Sequence, residues 1–326
     1  MNPADEAVGP AVDEAAARTA EDAAEAGADT AESAAEGTAR TTVVIATRNR
    51  AAELARTLAE LATLRPRPPI VVLDNASDDD TAEVAAGFSG VSVVRLPRNL
   101  GAAARNLGVT AARTPYIAFC DDDSWWADDA LARAEQVLDS CPRLGLVAAR
   151  TLVGPGDRDD PVNELMADSP LGRPAGLPGP AVLGFLACAA VVRKEAFLRA
   201  GGFSPLLHFG AEERLLALDL VAAGWELSYV AEIRAHHHPS SHRPPPVWRR
   251  RAELRNNALI TWLRRPVRQC VSETAVLLGR AVREPWIWPA LGGVLRRLPW
   301  ALAQRRRVPP EVERRARILE LAEGRV

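Results

Sequence analysis

Four short runs rich in β-branched residues, TTVVIAT (41–47), PIVVLDN (69–75), VSVVRLP (91–97) and PYIAFCD (115–121), recur at intervals of about two dozen residues. Between them lie Ala, Leu, Glu and Arg-rich segments at 50–64, 79–87 and 101–113. Apolar runs without polar alternation are strands buried on both faces, and parallel neighbours need a crossover between them. The rhythm therefore predicts an α/β fold: a mostly parallel, Rossmann-like sheet with helices on both faces. Further along, the pattern predicts a helix near 127–140, a long loop over the Gly, Pro and Asp-rich 153–180, and a strand, short helix and Gly-Gly turn within 184–203. A helix near 211–223 should end at Gly224 as its C′ residue, with a strand at 225–230.

The two ends of the chain differ from this middle. Residues 1–40 hold 10 acidic side chains against Arg18 and Arg40 and almost no large apolar residue, so they are expected to be a disordered acidic tail. Residues 243–326 hold 19 arginines against seven glutamates, with Trp248, Trp262, Trp286, Trp288 and Trp300 among them. PSSHRPPP (239–246) reads as a linker, giving an expected division into 1–40, 41–240 and a helical 241–326. The basic helices suit an anionic membrane surface, or ordinary packing with solvated arginines; no nucleic-acid motif accompanies the charge. Cys120, Cys141, Cys188 and Cys270 have no CxxC or zinc-like spacing. With no basic-then-apolar leader and no uncharged run of 18 residues, a cytoplasmic protein is expected, peripheral at the inner membrane face if the basic region meets lipid.

Chemistry gathers where strands end. FCDDDSWW delivers Asp121, Asp122 and Asp123 from a buried strand, and adjacent carboxylates are best tolerated beside a cation. The first strand ends in Thr47 and Arg48, the second in Asp74 and Asn75, and the third leads into Asn99, Gly101, Arg105 and Asn106. Each has a plain structural account, as a helix cap or a turn. Together they would line one sheet edge, where open α/β sheets bind ligands.

These segments, in this order, resemble family 2 glycosyltransferases with the GT-A fold over about Thr41–Ser240. VVIATRNR resembles the family's opening strand, VVLDNASDDDT its nucleotide-binding segment, NLGAAARNLGV its Gly-Arg-Asn helix start and FCDDDSWW its DXD motif. LACAAVVRKEAFLRAGGF resembles the segment before the acceptor site, and GAEERLLALDLVAAGWEL the stretch holding the base. The resemblance implies a nucleoside-diphosphate sugar (UDP-, GDP- or dTDP-linked) as donor, a glycan or lipid-linked hydroxyl as acceptor, and inversion at the transferred carbon. It places Asp74 at the nucleobase, Arg105 near the nucleobase or diphosphate, and Asp121 at the ribose or metal. Thr47, Arg48, Asn75, Asn99, Gly101, Asp122 and Trp125 fall among the donor-binding positions; Trp125 and Trp126 are the candidate walls of the sugar pocket, with at least one of the two expected in the core. Asp123 should hold Mn²⁺ or Mg²⁺, with His237 as a further ligand from its match to His-x-Pro-Ser within His236–Ser240. Only one or two of His236, His237 and His238 can face a metal. The family usually has Glu-Asp at the base, and this chain has Glu212-Glu213; alignment favours Glu213, with Glu212 the alternative.

Other classes share parts of the pattern. A DxD phosphatase needs its acids after the first core strand, and here they follow the fourth. A sugar nucleotidyltransferase would carry a glycine-rich loop after the first strand. A non-catalytic sugar-nucleotide-binding module is the rival that the Glu-Glu pair favours.

Overall fold

The computed structural model describes residues 39–240, 245–322 and Gly324. Of the expected acidic tail, 1–38 lie outside the described residues, as do 241–244 of the expected linker. The first half follows the predicted alternation: β1 (Thr41–Thr47), α1 (Ala51–Leu61), β2 (Ile70–Asp74), α2 (Thr81–Ala86), β3 (Val91–Arg95), a 3₁₀ turn at Gly101–Ala103 running into α3 (Ala104–Ala111), and β4 (Tyr116–Cys120). β2 and β4 are buried along their whole length, as strands covered on both faces must be. β1 pairs in parallel with β2 and β4, and β2 with β3, so their carboxyl ends share one edge. The register sets Thr47 beside Asp74, and Ile45 beside Cys120.

The second half makes the sheet mixed. It comprises β5 (Ser124–Trp126), α4 (Ala130–Ser140), β6 (Leu144–Val153), β7 (Arg158–Asp159), α5 (Pro161–Ala167), β8 (Ala190–Arg193), α6 (Lys194–Ala200), α7 (Glu212–Ala222) and β9 (Glu226–His237). The strand order is β3-β2-β1-β4-β8-β6-β9-β5, with β7 on β6. β8 runs antiparallel to β4 and to β6, and β9 runs parallel to β6. The end of β9 and the start of β8 therefore reach the same edge as the ends of β1, β2 and β4.

Three local expectations change. Residues 153–180 hold a helix, α5, started by Asp160 accepting from the Val162 amide at 2.9 Å with proline at the first helical position. The ten-residue β6 is an addition to the expected pattern: LGLVAARTLV lacks polar alternation, and an apolar run of that length suits a buried helix as well as a strand. β9 runs on to His237 instead of stopping near 230: its register against β6 jumps between Ala149 and Arg150, so the strand bulges and its last residues also pair with β5. Gly224 stands, as expected, just past α7, with φ 90°.

Beyond the sheet lie α8 (Pro246–Arg264), α9 (Val267–Arg283), a 3₁₀ turn at Pro285–Ile287, α10 (Trp288–Ala303) and α11 (Pro310–Ala322). Leu259, Leu263, Val294 and Val312 share one apolar cluster with Phe119, Val192 and Leu215 of the α/β part. Part of the arginine excess is internal. Arg264 bonds Asp219, Arg315 bonds Glu226, and Arg265, only 1% exposed, is held by Glu313 at 2.6 Å and by Glu320. Removing one member of such a set leaves buried charge uncompensated, at a cost of about 3–5 kcal/mol. Arg265→Met should accordingly lower the calorimetric melting temperature by roughly 10 °C; an unchanged value would show that the two glutamates find other partners.

Candidate active site

At the shared edge the loops are cross-tied. The Thr47 hydroxyl donates to Asp122 Oδ2 at 2.8 Å, joining the end of β1 to the acidic triplet. Asp74 Oδ1 accepts from the Ser77 amide at 3.1 Å and from the Ser77 hydroxyl. Asn75 Oδ1 accepts from the Leu100 amide at 3.0 Å while its Nδ2 donates to the Gly101 carbonyl, and Asn99 Oδ1 accepts from the Gly101 amide at 2.8 Å. Arg48 lies 3.9 Å from Asp78, and its Nε is buried without a hydrogen-bond partner. Asn49 and Ala76 hold φ near +55°, a region costly for residues with a Cβ.

The three aspartates point three ways. Asp121 pairs with Arg105, a buried guanidinium. Asp122 turns back under Thr47, and its backbone carbonyl accepts from Thr57 at 2.9 Å. Burial pushes the Asp122 carboxyl up to about 7, helped by its two acidic neighbours and opposed by the Thr47 bond and Arg50. Asp123 faces β9: its Oδ1 lies 3.4 Å from His237 Nε2, and its Oδ2 accepts from the Ser240 amide at 2.9 Å.

The histidine triplet is sorted by strand alternation. His237 stands opposite Ser124 in the β5–β9 pairing, and His236 stands opposite Trp125. The Trp125 ring stacks on His236 at 5.7 Å and tilts against His238 at 4.5 Å. His237 therefore joins Asp123, while Trp125 sits with the other two histidines on the opposite face. The edge does not bring Trp125 together with the acids, and Trp126 is core, 1% exposed.

Across from the triplet, α7 begins with Glu212 and Glu213, acids placed favourably at a helix N-terminus. Glu212 is buried and its Oε2 has no hydrogen-bond partner. Burial first, and Glu213 second, push Glu212 up to about 8. Burial also raises Glu213, against the pull of its backbone hydrogen bonds and of Arg105. Arg105 is acted on by Asp121, Glu212 and Glu213 together, so these four groups form one electrostatic unit.

The loop before α7 is the part that the sequence hid. His208 and Ala211 have φ of 62° and 63°, and the loop is held from three elements. The Asn106 side chain brackets Phe203, donating to its carbonyl and accepting from its amide at 2.9 Å each. Asn256 of α8, fully buried, donates to the Leu207 and Phe209 carbonyls at 2.9 and 2.8 Å. The Ala102 amide donates to the His208 carbonyl at 2.8 Å. Asn106 was visible within a motif, but nothing in the sequence marks Asn256. That last approach explains Gly101: with φ +61°, a Cβ there would lie 2.1 Å from the His208 oxygen. Gly101→Ala should cost about 2–4 kcal/mol and lower the melting temperature by roughly 5–15 °C; a scan matching wild type would mean that the loop yields freely.

Asp123 and His237 are a partial metal set. Among the described residues no group of three His, Cys, Asp or Glu side chains stands ready to hold an ion. One carboxylate and one imidazole suit a Mn²⁺-like ion, which these two residues would hold.

The comparisons with known proteins agree with this architecture. The model of the family described as glycosyl transferase family 2 matches residues 42–200, just under half of the chain. The pre-mycofactocin glycosyltransferase of Mycobacterium tuberculosis is 30% identical over 210 residues, covering 60% of this chain and 42% of that protein. The chain thus spans about two fifths of the length of the curated relatives it matches. Among solved structures, the mannosyltransferase PcManGT from Pyrobaculum calidifontis, in complex with GDP-Man and Mn²⁺, superposes with a TM-score of 0.51 at 19% identity, covering 96% of this chain and 85% of that one. S. aureus TarS 1-349 in complex with UDP-GlcNAc gives 0.54 at 15% identity, covering 88% of each. The fold is GT-A, with a C-terminal helical region.

Proposed function

We propose that this chain is a family 2 glycosyltransferase that moves a sugar from a nucleoside-diphosphate donor to an acceptor hydroxyl, with inversion and with a divalent cation. The observation that carries the reading is the convergence on one sheet edge of Asp74, the Arg105–Asp121 pair, the Asp123–His237 pair and the Glu212–Glu213 pair. The PcManGT and TarS structures, holding GDP-Man and UDP-GlcNAc, support a nucleotide-sugar donor. The family model supports the reaction class.

In this reading each residue has a task. Both Ser77 bonds end on Asp74 Oδ1, leaving Oδ2 to accept from a nucleobase N–H. Asp121, oriented by Arg105, meets the ribose. Asp123 and His237 hold Mn²⁺ or Mg²⁺, which when bound neutralises the charge growing on the departing diphosphate. Arg105 adds fixed positive charge beside these acids. Glu213 accepts the proton of the acceptor hydroxyl as its oxygen attacks the anomeric carbon and the bond to the diphosphate breaks. Burial and the Glu213 charge raise Glu212 to about 8, which favours its protonated form beside Glu213. The acceptor is a glycan or lipid-linked hydroxyl.

A thermal-shift series with UDP-, GDP- and dTDP-sugars in Mn²⁺ tests the donor. A ligand at 100 times its dissociation constant stabilises by about 2.7 kcal/mol, or roughly 5–10 °C here. No shift with any donor, together with no nucleoside diphosphate released, would reject the reading. A shift without release would favour the non-catalytic module.

A further inference from the structure

The C-terminal helices leave apolar surface uncovered in a regular pattern. On α9, Val267, Val271, Leu278 and Val282 are 57%, 58%, 45% and 77% exposed. Spacings of four, seven and four residues place them along one line of the helix. Cys270, Leu277 and Ala281 form a separate buried stripe, with Cys270 bonded to the Thr261 carbonyl on α8. On α10, Trp288, Leu295 and Leu302 recur every seven residues and are also exposed. Other side chains make the buried contacts of these helices: Cys270, Leu277 and Ala281 on α9, and Ala290, Leu291, Val294 and Ala301 on α10.

The charge around them has a single sign. Between 265 and 309 every exposed charged side chain is an arginine: Arg268, Arg280, Arg283, Arg296, Arg306 and Arg307. The two acids of that span, Glu273 and Glu284, are partly buried and bonded to Thr261 and Arg280. Arg268 and Arg283 sit at the two ends of the α9 stripe, with stems long enough to follow it while their guanidinium groups reach phosphate.

We propose that this face docks the protein on an anionic lipid bilayer, with the α9 stripe and the exposed side of α10 among the headgroups and the arginines on lipid phosphates. Charge decides the occupant. A second copy of the chain, meeting this face by two-fold symmetry, would set arginines against arginines, whereas an anionic bilayer supplies the opposite sign over a broad area. No helix among the described residues is long and apolar enough to cross a membrane, so the contact lies along the surface. The proposal does not depend on the donor reading.

The test is sedimentation of the full chain with phosphatidylcholine vesicles, with and without phosphatidylglycerol as about a third of the lipid. Binding should be at least about tenfold tighter with the anionic lipid, and should weaken severalfold when salt rises from about 0.1 to 0.5 M. Val271→Asp combined with Leu278→Asp should weaken it at least about tenfold again while leaving the melting temperature and the donor-induced shift in place, since both positions are exposed. Arg268→Gln with Arg283→Gln should weaken it severalfold. Equal sedimentation with both vesicles, or full binding by the double aspartate variant, would overturn the proposal. So would a concentration-dependent dimer by light scattering that the same aspartates abolish.

Discussion

Asp123→Asn should lower turnover by about three orders of magnitude and remove its response to Mn²⁺. A unit charge about 4 Å from another is worth roughly 4 kcal/mol at an effective dielectric near 20, and each 1.36 kcal/mol is a factor of about ten in rate. The substitution keeps an oxygen to accept from the Ser240 amide, so the link between the triplet and the end of β9 survives. The expected signature is therefore a folded protein with a near-normal melting temperature, little nucleoside diphosphate release, and a flat Mn²⁺ titration. His237→Ala should act in the same direction more weakly, because it removes a neutral ligand. Nucleoside diphosphate release that still rises with Mn²⁺ in Asp123→Asn would place the ion elsewhere.

The second large effect concerns the base. Glu213→Gln should reduce turnover by about 10²–10⁴ while the donor-induced thermal shift persists, since the proposed donor contacts lie outside α7. Glu212→Gln separates the two acids. It mimics the neutral form that burial already favours, so activity near pH 7 should stay within a few-fold of wild type. Its stability should change with pH in a definite sense. Folding raises Glu212 from an ordinary value of 4.5 to about 8, so the folded state binds the extra proton across that window. Stability is then highest below the unfolded value and falls as pH rises towards the folded one. Glu212→Gln should flatten that fall, read from melting temperatures between about pH 5 and pH 8. If Glu212→Gln were the inactive variant and Glu213→Gln the active one, the assignment of the base would be reversed.

What could be read beforehand follows from the range of the forces involved. β1 to β4 announce themselves because each is a continuous apolar run between turn residues, and burial of such a run needs no knowledge of its partners. The acids at their ends could be named because a parallel sheet gathers carboxyl ends at one edge. β6 was lost because its ten residues look like either a buried helix or a strand, and only its pairing with β8 and β9 decides. Trp125 could be named as a pocket wall, but its orientation depends on cross-strand pairing with His236, some 110 residues away, which no local pattern contains. The arginines of the C-terminal region were countable in the sequence. Which of them are internal was not, since Arg265 finds Glu313 and Glu320 only once α11 packs.

The sequence alone therefore determined the layered α/β architecture and set the candidate acids at the carboxyl ends of its strands, because hydrophobic periodicity and strand ends are local properties. Only the tertiary structure decided that Asp123 meets His237, that Asp122 turns inward to Thr47, and that Asn256 from a distant helix holds the loop before Glu212. Those contacts join segments tens to more than a hundred residues apart, and their geometry is set by strand register, a bulge in β9 and helix packing, which no local stretch of chain can specify.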